Sequence, residues 1–226
     1  MTPSSTYRVQ LRPSFTFADA EAIVDYLREL GAGALYCSPV LDAVPGSAHG
    51  YDVVDHSRAR LELGGDAGLL ALAGRLRAEG MGLVLDIVPN HMSVAVPALN
   101  RWWWDVLRHG PASRYAGYFD IDWSRGRLLL PVLGSDSLDE LTVAGDELAY
   151  YEHRFPIAPG TGGGTPTQVH DRQHYELVNW QRGNAELNYR RFFDITTLAA
   201  LRADRPDVFA DVHRLVLDGY RAGEVD

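Results

Sequence analysis

The first ninety residues alternate between strand-like and helix-like segments, and this alternation constrains the fold more than any other feature of the chain. Residues 6–11 have the alternating character of a strand, and residues 34–38 and 82–88 are short apolar runs that also predict strands. Between them lie residues 16–30 and 66–79, whose apolar side chains recur at three- and four-residue spacing. That spacing is typical of amphipathic helices. Strand, helix, strand, helix, strand at short intervals predicts parallel β/α units with right-handed crossovers, and therefore an α/β fold.

Local start and stop signals support the two helices. Thr16, followed three residues later by Asp19, matches a capping box at the start of the first helix. Gly31 and Gly80 follow the last apolar residues of the two patterns, which is where glycine commonly ends a helix.

A third helix is predicted over residues 96–109, where three tryptophans follow one another at Trp102, Trp103 and Trp104. Consecutive side chains on a helix point about 100° apart, so at most two of these rings share a face. We therefore predict core packing for this run rather than a platform for carbohydrate.

From about residue 111 to residue 194 the chain has few clean periodicities and many turn residues. This composition indicates a subdomain inserted after the third strand. Strands are predicted within it at residues 127–132 and 148–157. The Gly-rich residues 159–167 are interpreted as a flexible loop, because they lack the lysine of a phosphate-binding loop.

The expected architecture is therefore about the first half of a (β/α)8 TIM barrel with an irregular inserted subdomain after strand three. Residues 1–110 would form the first three β/α units, and residues 111–194 the inserted subdomain. Residues 195–226 would form a return helix that leads to a fourth strand beyond the end of this sequence. A complete barrel of this kind typically needs about 250 residues. The sequence therefore predicts a fragment.

Charge and composition exclude several functions. A formal charge of −9 argues against nucleic acid as a partner, which needs a basic surface. The chain has no Lys, so P-loop and Schiff-base lysines are excluded. No apolar run approaches the roughly 18 residues of a membrane span, so no membrane partner is expected. Because Cys37 is the single cysteine and the N-terminus lacks a secretory signal, we expect a cytoplasmic protein that acts on a neutral or small-molecule substrate.

The first candidate site follows the third strand, in the run Asp86-Ile87-Val88-Pro89-Asn90-His91. The period of two along a strand places Val84, Asp86 and Val88 on one face, so Asp86 would point into the barrel if Ile87 faces the helices. Asn90 and His91 would then lie at the carboxyl end of the strand, where β/α barrels place their active sites. A buried carboxylate predicts an Arg or several donors near Asp86. The alternative is a strand end at which Asp and Asn only fix a turn.

The second candidate site is the loop His49-Gly50-Tyr51-Asp52-Val53-Val54-Asp55-His56. Tyr and His combine an apolar face with a polar edge, which suits stacking on a sugar ring and bonding to its hydroxyls. The alternative is a polar loop held by its own turn chemistry. No pair of residues here matches a recognisable zinc spacing, so neither a metal nor another cofactor is expected.

A third segment, Asn188-Tyr189-Arg190-Arg191-Phe192-Phe193-Asp194, combines aromatic residues with paired arginines. The sequence leaves two interpretations open for it. The segment either binds a hydroxyl or carboxylate of a ligand, or it attaches the insertion to the barrel.

The first two sites together resemble the α-amylase superfamily of glycoside hydrolases and transglycosylases. Within that superfamily, four stretches are similar to the maltooligosyl trehalose synthase family, and the likeness covers nearly the whole chain. These stretches are TYRVQL at residues 6–11, GSAHGYD at residues 46–52, LPVLG at residues 130–134 and NYRRFFD at residues 188–194. The first and last are rather specific to that family.

The resemblance implies a substrate and roles for particular residues. Its chemistry is an intramolecular transglucosylation that turns the reducing-end α-1,4 bond of a maltooligosaccharide into an α,α-1,1 bond, and a partner hydrolase then releases trehalose. Tyr51 would stack on the sugar at the cleavage subsite, and His91 would bond hydroxyls of the same sugar. His49 and Asp52 are further candidate substrate-binding residues. Asp86 and Asn90 would support the catalytic end of the barrel.

The resemblance also implies that none of the three catalytic carboxylates lies within residues 1–226. The family's nucleophile follows Gly-Leu-Arg-(Ile/Val) on strand four, and the other two carboxylates lie on later strands. We therefore expect this polypeptide alone to be inactive and poorly soluble. The alternatives are another hydrolase or transglycosylase of α-1,4-glucans, and a non-catalytic glucan-binding module.

Overall fold

The computed structural model describes residues 3–226, which form two compact units. The first combines the chain up to Pro89 with Asp204–Asp226, and the second comprises Asn90–Ala203. The sequence placed the limits of the insertion at residues 111 and 194, whereas the second unit is wider. It is wider because the short strand that begins at His91 pairs with the strand that ends at Ala200.

Thirteen strands are formed by the described residues. They are β1 Thr6–Val9, β2 Ala34–Cys37, β3 Leu41–Ala43, β4 Val53–Ala59, β5 Gly82–Leu85, β6 His91–Ser93, β7 Leu128–Leu133, β8 Leu141–Ala144, β9 Glu147–Tyr150, β10 His153–Pro156, β11 Tyr175–Asn179, β12 Arg191–Phe192 and β13 Ile195–Ala200.

Six α-helices accompany these strands within residues 3–226. They are α1 Phe17–Ala22, α2 Val24–Leu30, α3 Gly65–Ala78, α4 Arg101–His109, α5 Pro166–His170 and α6 Pro206–Arg221. Short 3-10 turns occur at Leu61–Leu63, Pro97–Leu99, Gly110–Ala112, Trp123–Arg125 and Trp180–Asn184. None of these helices is long and apolar enough to cross a membrane.

The first unit is organised by a parallel sheet in the order β1-β2-β5, as the alternating pattern predicts. One side of the sheet packs against α1, α2 and α3 in a cluster that includes Leu35 and Cys37 of β2, Leu83 of β5, and Phe17 and Leu72 of the helices. Burial of an aliphatic or aromatic side chain of this size stabilises the folded state by about 1.5–3 kcal/mol. This cluster is therefore the main core of the first unit.

The first predicted helix is divided into two. The capping box of Thr16 and Asp19 and the left-handed cap at Gly31 are both present, as the sequence predicted. However, Ile23 has φ −98° and ψ 3°, so α1 ends and α2 begins at that residue. The interruption leaves Leu30 56% exposed, although the apolar spacing predicted it on the buried face.

The outer edge of β5 is partly covered by the last described residue. The amides of Gly82 and Asp86 donate to carbonyl oxygens of Gly33 and Cys37, toward β2. Because N–H groups alternate along a strand, Leu83 faces the opposite edge. There its carbonyl oxygen accepts a hydrogen bond from the Asp226 amide at 2.9 Å, and its amide donates to the Asp226 carboxylate at 3.1 Å.

The second unit contains three small sheets. They are the parallel pair β11-β7, the antiparallel sheet β12-β13-β6 and the antiparallel meander β10-β9-β8. The predicted strand over residues 148–157 is wrong, because the chain reverses at Tyr151 and Glu152 and forms the hairpin of β9 and β10. Tyr151 adopts φ 49° at this reversal.

The tryptophan run packs in the core of the second unit, as expected. Trp102 and Trp103 are 2% and 1% exposed, and the ring of Trp103 meets Phe119 and Tyr189 edge-on. The predicted helix over residues 96–109 begins later than expected. Asn100 interrupts it and caps α4, because its side-chain oxygen accepts from the amides of Trp102 and Trp103.

The Gly-rich loop at residues 159–167 is held by several hydrogen bonds. Arg172 donates to the carbonyl oxygens of Thr161 and Gly163. Thr165 and Gln168 form a capping box that starts α5 within the predicted loop. This segment is therefore more structured than the expected flexible loop.

Candidate functional site

The carboxyl ends of β1 and β5 bring several polar groups together in the first unit. The register places Arg8 beside Tyr36 of β2, and Tyr36 beside Val84 of β5. Asp86 comes two residues after Val84 and reaches the same side of the sheet as Arg8, away from the core. The prediction that Asp86 and Val84 share a face is therefore confirmed. Packing of Ile87 on the helices was the condition for that orientation of Asp86, but Ile87 is 40% exposed because β5 already ends at Leu85.

Tyr51 joins this group from the loop that precedes β4. Its hydroxyl donates to Asp86 Oδ2 at 2.5 Å, and Arg8 Nη2 donates to the Tyr51 hydroxyl oxygen at 3.2 Å. Arg8 Nη2 also lies 3.5 Å from Asp86 Oδ2. The expected cationic and donor partners of Asp86 are thus Arg8 and Tyr51.

The electrostatics of the group keep the tyrosine protonated. The pKa of Tyr51 is raised, first by its hydrogen bond to Asp86, then by desolvation and by the negative charge of that carboxylate, while Arg8 acts in the opposite direction. Desolvation lowers the pKa of Arg8, but hydrogen bonds with Tyr36, Tyr51 and Asp86 outweigh it, and the net shift is upward. A neutral phenol therefore lies between a carboxylate and a guanidinium.

His49 and Asp52 shape the loop around Tyr51. His49 Nδ1 accepts from the Tyr51 amide at 3.0 Å, and the two rings stack with centroids 5.9 Å apart. Asp52 Oδ1 accepts from the Ser47 hydroxyl at 2.5 Å, and Ser47 Oγ in turn accepts from the Gly50 amide at 3.0 Å. The turn-chemistry interpretation therefore describes Asp52 well, whereas Tyr51 keeps an exposed ring.

A buried arginine stabilises the same loop through a hydrogen bond to its backbone. Arg60 is 1% exposed, and its Nη1 donates to the Ser47 carbonyl oxygen at 2.8 Å. It also forms an ion pair with Glu62, whose carboxylate accepts from the Gly46 amide. Sequence reasoning missed Arg60 and Glu62, since nothing in the local pattern marks this arginine as buried.

Asn90 and His91 lie in the second unit. His91 begins β6 and is 3% exposed, with its Nδ1 2.9 Å from Asn90 Oδ1. Its ring lies 4.4 Å from that of Phe192, centroid to centroid. Sequence reasoning did not pair these two rings, because they are a hundred residues apart in the chain.

The segment at residues 188–194 is mainly structural at its start. Asn188 is buried and its side chain accepts from the Leu129 amide and donates to the Arg127 carbonyl oxygen. The Tyr189 hydroxyl donates to the carbonyl oxygen of Thr196 at 2.7 Å. Phe193, by contrast, is 79% exposed.

The described residues offer neither a cluster of metal ligands nor a reactive thiol. Within residues 3–226, no group of three or more His, Cys, Asp or Glu is placed to hold a metal ion. Cys37 is buried, and desolvation raises the pKa of its thiol to about 12, so it remains protonated.

The family model and the relatives found by comparison with known proteins agree with one another. Residues 21–221 match the family model described as the alpha amylase catalytic domain. A putative maltooligosyl trehalose synthase of Mycobacterium tuberculosis is 52% identical over 230 residues, which cover 98% of this chain and 30% of that protein. An intracellular maltogenic amylase of Bacillus subtilis is 34% identical over 110 residues, which cover 47% of this chain and 18% of that protein.

Solved structures give the same picture. The structure of maltooligosyltrehalose synthase from Arthrobacter ramosus superposes with a TM-score of 0.96 at 59% identity, and the match covers 99% of this chain and 30% of that one. The chain therefore spans about 30% of the length of the synthases that it resembles.

Proposed function

The chain belongs to the α-amylase catalytic-domain family, and on that premise we propose that it is the N-terminal part of an intramolecular transglucosylase. The complete enzyme would convert the reducing-end α-1,4 bond of a maltooligosaccharide into an α,α-1,1 bond and so create a terminal trehalose unit. The observation that carries this proposal is the likeness to named synthases over nearly the whole chain, in sequence and in backbone.

The parallel sheet supplies the scaffold of this proposal. We assign β1, β2 and β5 as the first three strands of a (β/α)8 barrel, because they are parallel and their order in the sheet follows their order along the chain. The hydrogen bonds between Asp226 and Leu83 support a fourth strand at the free edge of β5. Residues 90–203 would then be the excursion between the third strand and its return helix α6.

Binding roles are proposed for residues of each unit separately. Tyr51 offers its exposed ring to the face of a glucosyl residue, since the C–H groups of a sugar pack well on an aromatic face. His91 would bond sugar hydroxyls through its imidazole. His49 and Asp52 hold the loop that carries Tyr51, and Asp86 and Asn90 each orient a neighbour, Tyr51 and His91 respectively.

The chemical step requires groups that we do not assign to residues 1–226. A retaining glycosidase mechanism uses a carboxylate nucleophile and a carboxylic acid that acts as general acid and base. The contacts of Asp86 and Asp52 are those of orienting groups, because each accepts a short hydrogen bond from a neighbouring side chain. We therefore propose that the 226 residues bind and orient substrate without cleaving it.

The product would define the reaction that follows. A trehalose-ended oligosaccharide has no free reducing end, so the next step in its use is hydrolysis of the α-1,4 bond beside the trehalose unit. A trehalose-releasing hydrolase would be the functional partner, and both enzymes would act in the cytoplasm.

A second candidate function is the hydrolysis or transglycosylation of α-1,4-glucans without isomerisation. It is favoured by the likeness to a maltogenic amylase, although that likeness covers only about half of the chain. A glucan-binding module without catalysis is a third candidate, from a different class.

Product analysis with the protein encoded by the complete reading frame tests the proposal. On incubation with maltopentaose, we expect loss of reducing ends with little release of glucose or maltose. Release of glucose or maltose with a matching gain of reducing ends would favour the hydrolase. Binding of maltopentaose with no turnover would favour the binding module.

A further inference from the structure

Strand β1 and the residue after its end carry two polar side chains, Arg8 and Gln10, to which the proposed function assigns no role. Both belong to the stretch TYRVQL and lie two residues apart, so they point to the same side of the chain. Arg8 Nη1 donates to Gln10 Oε1 at 3.4 Å. Gln10 Nε2 lies 3.4 Å from the carbonyl oxygens of both Ala48 and His49. This pair therefore reaches the loop directly before Tyr51.

The contacts of the Tyr51 hydroxyl determine where its ring lies. The hydroxyl donates a hydrogen bond to Asp86 and accepts one from Arg8. His49 stacks beside the same ring. The phenol oxygen is thus hydrogen-bonded to Arg8 of β1 and to Asp86, the residue after β5, which leaves the ring face as the part of Tyr51 suited to a sugar.

The position of the Arg8 guanidinium depends on a contact with an aromatic ring as well as on its ion pair. Its guanidinium carbon lies 5.4 Å from the centroid of the Tyr36 ring, in cation–π geometry. The ion pair with Asp86 is long at 3.5 Å, and the Arg8 side chain is 40% exposed. A pair of this kind contributes little stability by itself. The directed hydrogen bond to Tyr51 is therefore the more specific consequence of having arginine at this position.

We propose that Arg8 is a positioning residue that orients the Tyr51 ring for glucan binding through its hydrogen bond to the phenol oxygen. The proposal rests on the proposed function only in naming the glucan as the ligand. Arg8 itself would not contact the substrate. It restricts the rotation of Tyr51, so the ring is already oriented when the sugar arrives.

A double-mutant cycle in the complete protein tests this role. Arg8→Met keeps the aliphatic stem but removes the donors, and Tyr51→Phe removes the oxygen on which they act. We expect Arg8→Met to weaken maltopentaose binding and kcat/KM by about tenfold when Tyr51 is present, and by less than about twofold in the Tyr51→Phe background. Equal losses in both backgrounds, or no loss in either, would overturn the proposal.

Two further variants control for non-specific effects. Arg8→Lys keeps a cationic donor, and we expect it to restore part of the lost affinity. Arg221→Met removes an exposed arginine of α6 whose ion pair is with Asp218, and we expect it to leave binding unchanged. Melting temperatures should be similar for all variants, since the contacts of Arg8 are largely exposed.

A measurement without substrate separates this proposal from the proposed function. In protein labelled with 13C at the tyrosine Cζ carbons, the Tyr51 signal is assigned by its loss in Tyr51→Phe. We expect that signal to shift in Arg8→Met and not in Arg221→Met. An unchanged signal would overturn the positioning role, even if trehalosyl product is formed. A shifted signal without any glucan activity would instead retain Arg8 as the partner of Tyr51 and reject the proposed function.

Discussion

At the scale of single residues, the loop that carries Tyr51 depends on a glycine at position 50. Gly50 has φ 77°, a conformation that L-residues rarely adopt, and a Cβ at this position would lie 2.8 Å from the Pro39 carbonyl oxygen. We predict that Gly50→Ala lowers the free energy of unfolding by about 1–3 kcal/mol. Thermal unfolding followed by circular dichroism measures the change.

Gly74 provides a matched control for that substitution. It lies within α3, and an added Cβ would meet nothing within 4 Å. Gly74→Ala is therefore expected to raise stability by about 0.5–1 kcal/mol, because alanine favours the helix. A Gly50→Ala protein as stable as Gly74→Ala would contradict this description of the loop.

A second residue-scale prediction concerns His170 in the second unit. Burial lowers the pKa of His170, against the raising effect of Asp171, and its Nε2 accepts from the Leu177 amide at 3.0 Å. The unfolded chain therefore binds a proton more readily than the folded one. Stability from this residue is complete above the usual histidine pKa of about 6.5 and is lost as pH falls below it.

The variant His170→Gln removes the titration but can still accept from the Leu177 amide. Between about pH 7 and pH 5 we expect its melting temperature to fall about 2–4 °C less than that of the parent protein. His213→Gln in α6 serves as the control and should follow the parent. The same pH dependence in His170→Gln and in the parent would exclude His170 as the source.

Individual site residues were predictable to different degrees. Asp86 stands out because it interrupts an apolar strand, and Tyr51 because it is an aromatic residue in a polar loop. The sequence predicted an arginine near Asp86 but did not identify it as Arg8. Strands β1 and β5 do not pair directly, so their relative register depends on how each pairs with β2, which lies between them. Arg60 was missed because its burial depends on the path of the loop at residues 46–52, which the local sequence does not encode.

At the scale of elements, the start of α4 depends on one side chain. Asn100 Oδ1 accepts from the amides of Trp102 and Trp103, and its Nδ2 donates to the Ser93 carbonyl oxygen at 3.0 Å. We predict that Asn100→Ala lowers the free energy of unfolding by about 1–2 kcal/mol, because amides at the helix start lose their partner. Urea unfolding, monitored by tryptophan fluorescence, measures this change in the free energy of unfolding.

Asn100→Asp separates the two roles of this side chain. Aspartate keeps the oxygen that caps α4 but cannot donate to Ser93, so we expect a smaller loss than with alanine. Equal losses for both variants would assign the stability to the Ser93 bond rather than to the cap.

Elements with regular periodicity were predicted well, and the failures have local causes. The strands of the parallel sheet were found to within a few residues, since glycine and proline bound the apolar runs of β2 and β5. The hairpin of β9 and β10 was missed because Tyr151 and Glu152 form its turn, and neither is a residue that usually marks one. The break at Ile23 was missed because its apolar side chain continues the helical spacing.

At the scale of the whole molecule, the parallel sheet presents two edges. Among the described residues, no strand pairs with the outer edge of β1, and only Asp226 forms hydrogen bonds with the outer edge of β5. Unpaired strand edges promote association between chains. We predict that a polypeptide of residues 1–226 self-associates at micromolar concentration and forms no trehalosyl product, whereas the complete protein stays unassociated and forms that product.

Size-exclusion chromatography with light scattering checks that prediction. A monomeric, soluble polypeptide of residues 1–226 that binds maltopentaose would instead favour a self-sufficient binding module. Trehalosyl product from that polypeptide would contradict the assignment of the catalytic carboxylates to the rest of the enzyme.

The proposed reaction of the complete protein is the formation of an α,α-1,1 bond within one oligosaccharide. Maltopentaose labelled with 13C at C1 of its reducing-end glucose tests it most directly by NMR. We expect that the labelled carbon becomes a non-reducing α-glycosidic carbon while the oligosaccharide keeps its mass. A label that stays at a free reducing end, or that appears in released glucose or maltose, would contradict the claim.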